Sequence, residues 1–130
     1  MENKELRVFV YGTLKVGGKF AGRYDEFRKT VKKGTIKGKM FSVHNSFPGV
    51  LLNGEDTIHG EIHEYADPDG KVLSSLNRLE GFITEGNKNN LYNQRFVKVS
   101  TDEGEYECLM YEFNRPTDEL SQVKTGVWKI

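Results

Sequence analysis

Between Leu6 and Tyr11 nearly every position is apolar or aromatic, with Leu6, Val8 and Val10 alternating with Arg7, Phe9 and Tyr11. A strand loaded on both faces is covered on both, so this segment predicts a central strand that stops at Gly12-Thr13-Leu14. Thr35 to Val43 reads as a second strand, in which Gly38 marks a bulge or a close backbone approach. Asn45-Ser46-Phe47-Pro48-Gly49 predicts a turn, because proline fixes φ and glycine tolerates positive φ. Residues 57–65 alternate again, with Ile58, Gly60 and Ile62 on one face and His59, Glu61 and His63 on the other, the pattern of a half-buried strand. Arg95 to Ser100 and Glu105 to Phe113 predict two strands joined across Thr101-Asp102-Glu103-Gly104 as an antiparallel hairpin.

The period changes after the turn Asp67-Pro68-Asp69-Gly70. Val72, Leu73, Leu76 and Leu79 come next, at the spacing of an amphipathic helix. Tyr24, Phe27 and Val31 have a weaker helical spacing and predict a loop with a short helix. Many strands and one firm helix, without strand-helix alternation, argue for a curled or barrel-like sheet with one packed helix. The 130 residues suit one domain spanning 1–130.

Nineteen Lys and Arg balance nineteen Asp and Glu, so no global field favours nucleic acid or an anionic membrane. Cys108 is the only cysteine, which excludes an internal disulfide and a thiolate zinc site. The start Met-Glu-Asn-Lys-Glu lacks the layout of a secretory signal, and no apolar run approaches the length of a membrane span. The expectation is a soluble, cytoplasmic protein.

One carboxylate stands out. At about 100° per residue from Val72, Leu79 falls at about −20°, Leu76 at about 40°, Glu80 at about 80° and Leu73 at about 100°. Glu80 therefore points into the apolar stripe. Burial and the negative end of the helix dipole both disfavour its charged form and would raise its pKa, which suits a general base near neutral pH. The alternative is a frayed helix end that lets Glu80 reach water or pair with a cation such as Arg95.

Other constellations are weaker. His59-x-Glu61-x-His63 offers zinc-type ligands from one strand face, but without a fourth ligand it reads better as the polar face of a half-exposed strand. The basic run from Phe27 to Lys33 reads as a solvated face. Gly12 with Gly17 and Gly18 fits neither a dinucleotide fingerprint nor a P-loop. No serine sits in a nucleophile elbow, and Cys108 lies in a predicted strand, where a buried inert thiol is the default.

The segments VFVYGTLK, FPGV, GEI, LNRLEGF, a Tyr–Arg–Val–Val segment and TGVW occur in this order from Val8 to Trp128. Together they resemble the gamma-glutamylcyclotransferase-like superfamily, on the side that includes gamma-glutamylamine cyclotransferase. The specific parts are Tyr11-Gly12-Thr13-Leu14 and Leu79-Glu80-Gly81. The resemblance implies an α+β fold, a small mixed β-barrel with one packed amphipathic helix. It also implies conversion of a small-molecule gamma-glutamyl amine or amide to 5-oxoproline with release of the free amine.

Carried over by motif, Glu80 becomes the general acid/base and Tyr11 to Leu14 the substrate-holding segment. The substrate's own α-amine attacks its γ-carbonyl, so no metal or other cofactor is called for. The N–H groups of Gly12, Thr13 and Leu14 would bind the α-carboxylate, with Gly12 allowing close approach. An ordinary strand-ending turn is the plainer account of that loop.

Tyr11, Phe47 and Tyr111 are candidate pocket walls or simply core aromatics, and Arg95 is a structural ion partner. The loop from Phe82 to Asn90 is expected to cover the pocket. Asn77 stands where many relatives carry Asp, and Tyr92 and Arg95 are one residue further apart than the usual Tyr-x-Arg. From a different class, a non-catalytic module holding a small carboxylate ligand on the same fold fits the same residues.

Overall fold

A computed structural model describes residues 5–15 and 17–129. Six strands, β1 (Glu5–Val10), β2 (Arg28–Val43), β3 (Phe47–Ala66), β4 (Tyr92–Thr101), β5 (Gly104–Phe113) and β6 (Ser121–Gln122), are joined in the order β3-β1-β5-β4-β2-β6. An additional β2–β3 pairing closes the first five into a mixed barrel, and β6 lies beside β2. The β1–β5 pair is parallel and the other pairings are antiparallel.

Period two explains how so few residues fill two layers. Phe9, Ile36, Met40, Ile58, Ile62, Val99, Cys108 and Met110 form one buried cluster drawn from all five barrel strands, which fills the barrel. Their neighbours Val8, Val10, Leu109 and Tyr111 belong to a second cluster with Val72 and Leu76, packed against the helix α1 (Lys71–Leu79). β1 is therefore covered on both faces, as its composition predicts. At full burial Leu76 sits in a layer where truncation to alanine costs about 2–5 kcal/mol.

Several boundaries differ from expectation. His44 and Asn45 have φ of 52° and 60°, and Ser46 N–H donates to Val43 O at 3.0 Å. Positive φ at both central residues makes the tight hairpin turn there, so Phe47, Pro48 and Gly49 already belong to β3. A 3₁₀ helix takes Ala21–Phe27, but β2 begins at Arg28 and Val31 is a strand residue, 39% exposed. Its helical spacing with Tyr24 and Phe27 is coincidence. The β2–β3 register shifts between Gly38 and Lys39, the irregularity that Gly38 marked. β4 begins three residues earlier than the sequence suggests, at Tyr92, and pairs with β5 from Thr101↔Gly104 onward.

The polar face assigned to residues 59–63 is only partly polar in its surroundings. His59 is exposed, but His63 is fully buried. Nε2 of His63 lies 2.9 Å from Glu61 Oε1, and its Nδ1 lies 3.2 Å from Arg28 Nε and 3.1 Å from the Tyr65 hydroxyl. Among the described residues, no group of three or more His, Cys, Asp and Glu is arranged to hold a metal ion. The basic run is largely paired: Arg28 with Asp25, Lys29 with Glu5 and Lys32 with Glu103. No helix among the described residues is long and apolar enough to cross a membrane.

Candidate active site

Both ends of α1 are pinned by specific hydrogen bonds. At its start, the buried Asp67 carboxylate accepts from Val72 N–H at 2.9 Å and Leu73 N–H at 3.0 Å, satisfying donors that have no partner within the helix. At its end, Gly81 takes φ of 64°, Phe82 N–H donates to Asn77 O at 2.8 Å, and Gly81 N–H reaches Arg78 O at 3.3 Å. This is a Schellman closure, and it makes Glu80 the capping residue rather than a member of the last turn. Glu80 N–H still donates to Leu76 O at 2.8 Å, so the side chain keeps the direction that the helical period predicts.

Glu80, half-buried overall, lines a cavity of about 380 Å³. Gly12, Thr13 and Leu14 line the same cavity, as do Tyr11, Phe47 and Tyr111. Glu80, the Tyr11–Leu14 segment, Phe47 and Tyr111 therefore face one space, walled by β1, the β3 entry, the end of α1, the start of β4 and the end of β5. Lys19, Phe20, Pro48, Leu79, Leu91 and Tyr92 complete much of the lining. Residues 82–90 do not line it. The buried Asn90 ties that loop down instead, accepting from Ile83 N–H at 2.6 Å and donating to Thr84 O at 2.8 Å, while Arg115 and Asn114 donate to its carbonyl.

Burial alone pushes the Glu80 carboxyl up from 4.5 to about 7. No hydrogen bond or ion pair joins its side chain to any described residue, and Arg95 bonds Glu112 at 3.1 Å instead. The aromatic neighbours whose acidity the charge of Glu80 suppresses have all committed their protons elsewhere. Tyr11 donates to Tyr111 O at 2.7 Å, Tyr92 to Pro48 O at 2.6 Å, and Tyr111 to Asn77 Oδ1 at 2.6 Å. Burial is the main reason that each tyrosine is held above its ordinary pKa, with Glu80 adding to it. The result is a carboxyl in a largely apolar cavity, its anion hydrogen-bonded to no donor among the described residues.

A Cβ at Gly12 would lie 2.6 Å from Pro48 Cγ, so packing against the β3 entry by itself calls for glycine there. Lys15 N–H donates to Gly12 O at 3.0 Å, closing the turn, and Phe20 N–H donates to Thr13 O at 2.8 Å. Cys108 lies inside the barrel, where burial pushes its thiol up to about 11. It is poorly suited to act as a nucleophile.

A closed five-stranded mixed barrel with one packed helix is the class of fold to which this chain is assigned. Residues 8–130 match the family described as gamma-glutamyl cyclotransferase, AIG2-like, and the chain belongs to it. A Niallia circulans protein named gamma-L-glutamyl-butirosin B gamma-glutamyl cyclotransferase is 27% identical over 122 residues, 94% of this chain and 74% of that one. YkqA from Bacillus subtilis shares the fold with a TM-score of 0.72 and 24% identity over 96% of this chain. This chain spans 40% of the length of YkqA. An AIG2-like protein from Mus musculus superposes with a TM-score of 0.61 at 18% identity, over 88% of this chain and 81% of that one.

Proposed function

We propose that the protein is a cyclotransferase that converts a gamma-glutamyl amine or amide to 5-oxoproline and releases the free amine. The observation that carries this reading is the raised carboxyl of Glu80 in the same cavity as the Gly12–Leu14 turn. Family membership supports the reaction class. A pKa of about 7 leaves Glu80 able to accept and to return a proton near neutral pH.

In this mechanism the turn amides hold the substrate α-carboxylate and Glu80 meets the ammonium on the same carbon. Glu80 takes one proton from the ammonium, and the freed amine attacks the γ-carbonyl, forming the C–N bond of a five-membered lactam. The tetrahedral intermediate collapses with cleavage of the original γ-carbonyl C–N bond. Glu80 returns its proton to the departing nitrogen, and the second proton, shed by the new lactam nitrogen, passes through the same carboxylate to the released amine, which leaves as an ammonium. Because nucleophile and electrophile belong to one molecule, the enzyme's task is to hold the chain folded and to move protons. Tyr11, Phe47 and Tyr111 serve as walls, which Tyr11 and Tyr111 do with hydroxyls already committed.

Purified protein incubated with a panel of gamma-glutamyl compounds is expected to yield 5-oxoproline. Glu80→Gln is expected to abolish it while a thermal melt confirms folding. Turnover undiminished in Glu80→Gln would remove the assigned mechanism, and ligand binding without turnover across the panel would favour a non-catalytic binding module.

A further inference from the structure

The Gly12–Lys15 turn sends one side chain away from the cavity. Lys15 donates from Nζ to the Trp128 carbonyl at 2.8 Å. It lines, with Glu61, His59 and Val127, a separate cleft bordered by β2, β3 and the end of β4. The carbonyl it holds belongs to a segment fixed to the barrel. Val123 N–H donates to Met40 O at 2.7 Å, His59 N–H donates to Gly126 O at 2.8 Å, and Trp128 packs against the cluster that fills the barrel. Gly126 lies so close to the Thr57 carbonyl that a side chain would not fit between them.

The far end of the turn is thus tied to a rigid point, while its near end is Gly12 wedged on Pro48. We propose that Lys15 is a positioning residue: by donating to the Trp128 carbonyl it keeps the Gly12–Leu14 amides aimed at the substrate carboxylate. This rests on the cyclotransferase reading of the turn. Amides that converge on one carboxylate lose most of their grip when their directions drift by a fraction of an ångström, and a charged donor to a half-buried carbonyl is a strong tether.

5-Oxoproline keeps the substrate's carboxylate and replaces its ammonium with a neutral lactam N–H, so its affinity reports far more on the turn than on Glu80. Lys15→Met removes the donor and keeps most of the stem. It is expected to raise the Kd of 5-oxoproline and the KM of an active gamma-glutamyl substrate about tenfold, with kcat within about twofold and the melting temperature nearly unchanged. Lys15→Arg, which still offers a cationic donor, is expected to recover most of the affinity.

Trp128→Ala unseats the same carbonyl, so Lys15→Met combined with it is expected to be no weaker than the worse single variant. Unchanged 5-oxoproline affinity in Lys15→Met, additive effects in the pair, or an Arg variant no better than Met would overturn the positioning role alone. A wild-type protein that neither forms nor binds 5-oxoproline would overturn the cyclotransferase reading, and the positioning role with it.

Discussion

The Tyr111 hydroxyl donates to Asn77 Oδ1 at 2.6 Å, and the same oxygen accepts from Gln94 Nε2 at 2.6 Å. Asn77 lies one helical turn before Glu80, so this neutral acceptor draws a nearby proton away from the carboxyl without adding charge. Asn77→Asp keeps an acceptor for both donors but sets a second carboxylate at i,i−3 from Glu80. Neighbouring carboxylates raise each other's pKa. The acidic limb of the kcat/KM profile, expected at about pH 7 from Glu80, is therefore expected to move to higher pH. A profile measured with one gamma-glutamyl substrate across pH 5 to 9 checks it, and a shift toward lower pH would contradict the account.

Glu80 also imposes a stability cost with a definite pH window. Its folded pKa, about 7, lies above the ordinary 4.5, so between those values the folded state holds a proton that the unfolded chain has released. Through this group alone, stability is therefore undiminished below pH 4.5 and falls as pH rises toward 7, by roughly 3 kcal/mol at most. Glu80→Gln removes the titration. Urea melts are expected to show the variant more stable than wild type at pH 8, with the difference vanishing near pH 4. Equal stability at pH 8 would mean that the carboxylate is not desolvated.

The placement of that carboxyl depends on the glycine after it. Gly81 stands at φ of 64°, and a Cβ would lie 2.9 Å from Leu91 Cβ, a residue that also lines the cavity. Gly81→Ala meets both the left-handed backbone penalty and the clash. A loss of about 1–3 kcal/mol is expected in denaturant melts, together with a fall in kcat as the Schellman closure and Glu80 shift. Full activity in Gly81→Ala would show that the closure does not set the catalytic geometry.

Much of this is legible in the sequence because it rests on local periods. Alternation in residues 6–11 announces a strand covered on both faces, and the angle of Glu80 among Val72, Leu73 and Leu76 announces an inward carboxyl. The features that escape a sequence reading depend on register between distant segments. Lys19, Phe20, Pro48 and Leu91 reach the cavity only because the barrel closes β2 on β3 and brings β4 beside β5. The loop at 82–90 is expected to cover the pocket, yet Asn90 and Arg115 bind it elsewhere. The hairpin turn falls earlier than expected because His44 and Asn45 accept positive φ, reversing the chain ahead of Pro48-Gly49.

Alternation puts His63 on a polar outer face, whereas its burial creates a pH dependence of opposite sign to that of Glu80. Arg28 Nε can only donate, so Nδ1 of His63 accepts and the ring proton sits on Nε2, donating to Glu61. Protonating Nδ1 would set a second donor against the Arg28 guanidinium and beside the Tyr65 hydroxyl. Burial lowers the pKa of His63 below the ordinary 6.5, with Arg28 acting in the same direction and Glu61 opposing it. As pH falls through 6.5 the unfolded chain therefore gains a proton that the folded protein refuses, and stability falls. In the Glu80→Gln background, where the opposing titration is gone, urea melts between pH 7.5 and 5 are expected to show this decline. Adding His63→Gln is expected to flatten it, even though the lost buried hydrogen bonds lower stability at pH 7.5 by about 1–3 kcal/mol. A decline of the same slope with and without His63 would assign the acid sensitivity to another group.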